Sequence, residues 1–141
     1  MREVINWPLR VWFLFALLNL SIIVAVGVAL SNTALLILGL TLATVTLALS
    51  ISSRLVLIVS DGLLSVGRAQ IENKYIKEVH ILDETAMAYE RGVGLNPRAF
   101  LALRFWVKAG AKILLNDPSD PTPYWLVSTR RAQELKEKIG K

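Results

Sequence analysis

The chain has no cysteine. That removes disulfide frameworks, thiolate nucleophiles and cysteine-based metal sites from consideration. It has one histidine, His80, and a lone imidazole without thiolate neighbours does not make a zinc centre. No Ser, Asp or Glu stands at a triad spacing from it, so His80 reads as a solvent-facing or hydrogen-bonded strand residue. Asp117 and Asp120 fall short of the ligand number that calcium needs; they read as stabilisers of a proline turn. Neither Val66-Gly67-Arg68 nor Arg91-Gly92-Val93-Gly94 fits a phosphate loop. The expectation is a protein that is not an enzyme, with no catalytic residue, no cofactor and no metal.

The largest absence is charge. From Val11 to Ser53 there is no Asp, Glu, Lys, Arg or His. A membrane span takes about 20 mostly apolar residues, so this stretch holds two spans and a tight turn: Val11 to Leu30, Ser31-Asn32-Thr33, then Ala34 to about Ser53. The first ten residues are too polar and aromatic for a signal peptide, and no clean cleavage site follows, so retention in the membrane is expected. Trp7, Trp12, Phe13 and Phe15 gather at one end, where aromatic rings favour the bilayer interface. Arg2, Arg10 and Arg54 flank the outer ends and the turn carries no charge, which places both termini in the cytoplasm of a multi-pass inner (plasma) membrane protein. Without an ionisable residue in either span, a proton relay or ion pathway lacks its usual groups.

Small residues recur through the spans. Ala25 and Gly39 lie equally far from Asn32, as do Ser21 and Ala43, and Ala29 continues the series. Ser21, Ala25, Ala29, Gly39 and Ala43 are therefore expected to form the face on which the helices pack. Asn19, near the bilayer midplane, needs a partner for its amide: Thr41, Thr44, Thr46 or Ser50 within the hairpin, or a second copy of the chain in a homo-oligomer.

Beyond the spans the pattern changes. Residues 54–141 contain 14 Lys/Arg and 10 Asp/Glu, net +4 of the chain's +5, and form one small domain. Asp61-Gly62 between Leu55–Ser60 and Leu63–Val66 is a type I′ hairpin signal. Further strands are expected at 69–71, 75–82, 100–107, 112–116 and 124–127. Asp83 caps a short helix, the segment from Asp117 to Pro123 is a rigid turn, and a final helix runs from about Arg130 to Ile139 with Ala132, Leu135 and Ile139 on one stripe. Seven short antiparallel strands and a closing helix match the element count of a pleckstrin-homology-like barrel. The reading is a membrane α-helical hairpin (1–53) followed by a small α+β, pleckstrin-homology-like cytoplasmic domain (54–141).

The run from Asn116 through Tyr124-Trp125-Leu126-Val127-Ser128-Thr129-Arg130-Arg131 to Leu135, together with Trp7-Pro8-Leu9 and Asp61-Gly62-Leu63-Leu64, resembles an actinobacterial family of small two-helix membrane proteins catalogued as a domain of unknown function. The resemblance spans the whole chain. It implies an inner-membrane protein with a cytoplasmic domain and supplies no catalytic residue.

One cluster stands out electrostatically. Ser128, Thr129, Arg130 and Arg131 open the final helix, where two cations meet an already positive macrodipole end. Hydroxyls, free N–H groups and guanidinium forks make this an anion or partner site, with Arg104, Lys108 and Lys112 as further basic members. The alternative is an internal counter-charge from Asp117, Asp120 or the Asp83/Glu84 pair. Two functions follow: an interaction module for a membrane or membrane-proximal protein, or a sensor of anionic lipid headgroups. The bilayer is a partner in both, and no nucleic acid is expected in either. The first predicts an exposed apolar patch, the second a clustered basic one.

Overall fold

The computed structural model describes residues 1–140. Two compact units emerge: Asn6–Arg54, and Met1–Ile5 together with the chain from Leu55 onward.

The first unit is the helical hairpin, α1 (Leu9–Gly27) and α2 (Asn32–Ser52). Both helices are long and apolar enough to cross a membrane, and almost none of their surface is buried within the protein. Ser31 caps α2, its hydroxyl accepting from Ala34 N–H at 3.3 Å. Trp7 stacks on Phe15 at 4.6 Å and meets Trp12 edge-on at 5.3 Å.

The packed face is not the small-residue one. Ser21, Ala25, Ala29 and Ala43 are exposed, and a Cβ placed on Gly39 would meet nothing within 4 Å. The amide decides the rotation instead. Asn19 donates to the Thr46 hydroxyl at 3.0 Å, one of the four hydroxyls the sequence offers it. At about 100° per residue, turning Asn19 inward carries Phe15, Ile22, Ile23 and Val26 with it and leaves Ser21 on the far side. Ser21 has no need of a neighbour, because its hydroxyl bonds the Leu17 carbonyl of its own helix.

The second unit contains, among the described residues, eight strands in two sheets. One sheet has the order β1-β2-β3-β4, formed by Arg2–Ile5, Leu55–Ser60, Leu63–Val66 and Ala69–Glu72, all antiparallel. The other comprises β5 (Ile76–Leu82), β6 (Phe100–Ala102), β7 (Gly110–Leu115) and β8 (Tyr124–Ser128) in the order β5-β7-β8-β6. Helices α3 (Glu84–Arg91) and α4 (Ala132–Ile139) complete it. The Asp61-Gly62 turn takes positive φ at both residues, 50° and 77°, as its sequence requires.

Three differences from the sequence reading have physical causes. The count rises from seven strands to eight because Arg2–Ile5 pairs with β2, from Arg2 opposite Ile58 to Ile5 opposite Leu55; the first residues belong to the β unit rather than to the hairpin. The set is not all antiparallel: β6 runs parallel to β8, since the segment carrying α3 crosses over the sheet before β6 begins. The strand expected to reach Val107 stops at Ala102, because Arg104 N–H bonds the Ser128 hydroxyl and Val107 N–H turns back to the Arg104 carbonyl.

The main core lies between the sheets. It joins Ile5, Leu55, Leu57, Leu64, Val79, Ile113, Trp125 and Val127 to the α4 stripe Ala132, Leu135 and Ile139. Trp125 and Val127 share one face, as strand alternation demands. The opposite face of the second sheet holds Leu82, Tyr124 and Leu126 under Met87 of α3. Gly110 is what admits α3: a Cβ there would stand 2.3 Å from the Val127 carbonyl oxygen and 2.7 Å from the Met87 methyl.

Candidate functional site

All five residues of β8 are buried, and the chain leaves the sheet at Thr129 to start α4 three residues later, at Ala132. Thr129 is fully buried and faces Glu3, which is itself only 7% exposed on β1. Along β1 the side chains alternate, so Glu3 and Ile5 point inward while Arg2 and Val4 point out. The Thr129 hydroxyl donates to Glu3 Oε2, and Arg130 N–H donates to Glu3 Oε1 at 3.0 Å. Arg131 N–H in turn donates to the Thr129 oxygen at 3.0 Å, taking up one of the amides that the start of a helix leaves without an intrahelical partner. The Arg131 guanidinium pairs with Glu134 one turn on and donates to the Arg2 carbonyl at 3.4 Å.

This corner binds an anion, and the anion is the chain's own. Glu3 and Glu134 supply the counter-charge. Asp117, Asp120, Asp83 and Glu84 do not: Asp117 accepts from Ser119 and Asp120 from Thr122 in the proline turn, Asp83 caps α3 through Ala86 N–H at 2.8 Å, and Glu84 pairs with Lys108 at 2.7 Å. The Thr122 hydroxyl and N–H hold the Asp120 carboxyl below the ordinary carboxylate value.

The remaining members of the expected basic cluster are dispersed by their partners. The Ser128 hydroxyl is enclosed between Arg104 N–H at 2.9 Å and the Arg91 guanidinium at 3.3 Å, and the same Arg91 nitrogen donates to the Val107 carbonyl at 2.6 Å. Partial burial pushes the Arg104 guanidinium below its ordinary value, although a guanidinium keeps its charge. Lys112 lies on the opposite face of the second sheet, bonded to Glu90 at 2.8 Å and 4.4 Å above the Tyr124 ring. Lys108 and Glu84 form a solvated surface pair, worth little. Only the Arg130 side chain, among these cations, projects from the corner into solvent without a bond of its own.

His80 is exposed, with Glu78 at 3.3 Å. It borders an open depression of about 260 Å³ that Leu82, Glu90, Lys112 and Leu114 also line. Among the described residues no three His, Asp or Glu side chains stand together as metal ligands. The exposed apolar side chains of the β unit include Phe105, 67% exposed beside Trp106, and Val93, 89% exposed just past the end of α3.

Glu3 is the residue of this corner that sequence reasoning misses. Its signal is present: it is the single acid before Asp61, and Arg2-Glu3-Val4-Ile5 alternates like a strand. Yet the whole hairpin, Asn6–Arg54, lies between this four-residue strand and its sheet, and nothing local points to its partner.

The model of the family described as "Protein of unknown function (DUF3093)" matches residues 1–139, and the chain belongs to that family. No curated protein and no solved structure matches it.

Proposed function

We propose that the chain is a non-enzymatic, two-span membrane protein that presents its β unit at the cytoplasmic face of the plasma membrane as an interaction module for a membrane or membrane-proximal protein. The supporting observation is a connection. The helical hairpin is inserted between two adjacent paired strands, Ile5 lying opposite Leu55. Both outer ends of the hairpin are thereby tied to one sheet edge, which fits a two-span topology with both ends on the same side. Arg10 and Arg54 at those ends, against an uncharged Val28–Ser31 turn, favour the cytoplasm for that side.

A protein partner is favoured over a lipid headgroup by the state of the charges. The corner expected to receive an anion is occupied by Glu3, and Lys108, Lys112 and Arg131 are paired. Phe105 and Val93 are exposed instead. The likeness to a pleckstrin-homology domain extends to two sheets and a closing helix, and the parallel β6–β8 pair departs from it.

Two measurements test this. Because the chain has no cysteine, Asn32→Cys and Lys138→Cys are clean single-thiol probes. An impermeant thiol reagent on intact cells should label the first and spare the second; the reverse pattern overturns the topology. Affinity purification in mild detergent with mass spectrometry should recover a defined protein partner lost on Phe105→Ser. Recovery unaffected by Phe105→Ser, or binding to anionic vesicles alone, overturns the module reading.

A further inference from the structure

The strand that leads into the hairpin is held by a group that is also at ease in water. β1 is an edge strand of four residues with one sheet neighbour, β2. Its inward side chains are Ile5, an ordinary core residue, and Glu3, a carboxylate with each oxygen taking one donor from the β8–α4 connection. Burying a carboxylate forfeits its hydration, and that loss cancels much of what the two hydrogen bonds contribute. When β1 leaves, Glu3 regains water, and so do Thr129 and Arg130 N–H. An apolar residue at position 3 would gain nothing on leaving. The geometry therefore fastens this strand more weakly than its burial suggests.

We infer that β1 is a releasable strap: the β unit opens locally by detaching Met1–Ile5, with the Glu3 carboxylate as the catch, while the rest of both sheets stays closed. Such local opening, below the free energy of global unfolding, is the ordinary source of conformational response in folded domains. Three residues, Asn6–Pro8, separate β1 from α1, so the strap is the element of the β unit most directly pulled by the first helix. Its release frees the Thr129 hydroxyl and Arg130 N–H ahead of α4 and bares the β2 edge. The inference does not depend on which partner the module binds.

Two amides report on the strap separately. Val59 N–H donates to the Met1 carbonyl at 2.9 Å, and Arg130 N–H donates to Glu3. In the full chain in lipid nanodiscs, residue-resolved hydrogen exchange should find both amides opening more readily than those of β7, the strand between β5 and β8. Glu3→Ala should raise the Val59 rate by roughly tenfold or more, the scale of losing charge-assisted bonds, and leave β7 unchanged; Arg130, stripped of its acceptor, accelerates in any case. Glu3→Gln keeps an acceptor oxygen and should fall between. Equal acceleration of Val59, Arg130 and β7 in Glu3→Ala would mean that β1 opens only when the whole unit unfolds, which overturns the strap. An unchanged rate at Val59 would show that the carboxylate is no catch, and would overturn it equally.

Discussion

The hairpin and the β unit satisfy their polar groups by opposite routes. In the hairpin the hydroxyls of Ser21, Thr41 and Thr44 bond carbonyls four residues back on their own helices, and a side-chain pair, Asn19 to Thr46, links α1 to α2. In the β unit the decisive polar contact joins residues 126 apart in the chain, Glu3 and Thr129. On a helix a Ser or Thr hydroxyl reaches the carbonyl four residues back, so each helix can satisfy itself. A sheet cannot do so, because its partners come from wherever the chain returns. The hairpin is consequently a local structure and the β unit a non-local one, and they should fail differently under mutation.

The largest expected effect is in the β unit. Trp125 is buried, with its ring 4.8 Å from that of Phe100, and Trp125→Ala should cost about 3–5 kcal/mol. Denaturant unfolding should show the sheet signal lost early while the helical signal of the hairpin persists; joint loss of both would erase the contrast between the units. Next comes Thr129→Val, which keeps the shape but strips Glu3 and Arg131 N–H of the hydroxyl, at roughly 1–3 kcal/mol. Chemical denaturation of the full chain measures it, and a neutral result would mean that water replaces the hydroxyl.

In the hairpin the effects shrink. Asn19→Leu should lower thermal stability in detergent by about 0.6–1.7 kcal/mol, the range seen for hydrogen bonds between membrane helices. Gly39→Leu should fall within about 0.5 kcal/mol of wild type, since nothing lies within 4 Å of the added Cβ. A large loss there would restore the small-residue face. The smallest effect is a pH dependence. The Asp120 carboxyl is held below its ordinary value by Thr122, so its bonded form helps the fold above about pH 3.9, the unfolded value. That help disappears as the pH falls through the lower folded value. Asp120→Asn should abolish this pH dependence, lowering stability slightly at neutral pH and leaving it nearly unchanged in acid, where the carboxyl is already protonated.

What can be read from the sequence follows the same division. The two long apolar helices are legible from their own composition, and the Asp61-Gly62 turn because two adjacent residues determine it. The Asp83 cap and the Asp117 and Asp120 turn bonds are legible for the same reason: donor and acceptor are three residues apart or fewer. The inward face of α1 is harder, because symmetry about the turn points to the small residues while the one amide that must be bonded turns the helix elsewhere. The corner at Thr129 is legible as hungry for an anion, but not as to which anion. Its ligand is the third residue of the chain, and nothing near Arg130 announces it. The parallel β6–β8 pair is hidden likewise, since a crossover looks in sequence like any helix followed by a strand.

The position of Glu3 also fixes an order of assembly. A ribosome makes β1 first, yet the strand has no sheet to join until Leu55–Ser60 emerges, and its carboxylate has no donors until Thr129 and Arg130 follow. Once Leu55–Ser60 is made, β1 can pair with β2, but Glu3 stays without its donors until residue 130 is made. The carboxylate of an early strand is thus among the last groups of the β unit to be satisfied, and a chain cut short of residue 129 leaves Glu3 without its donors.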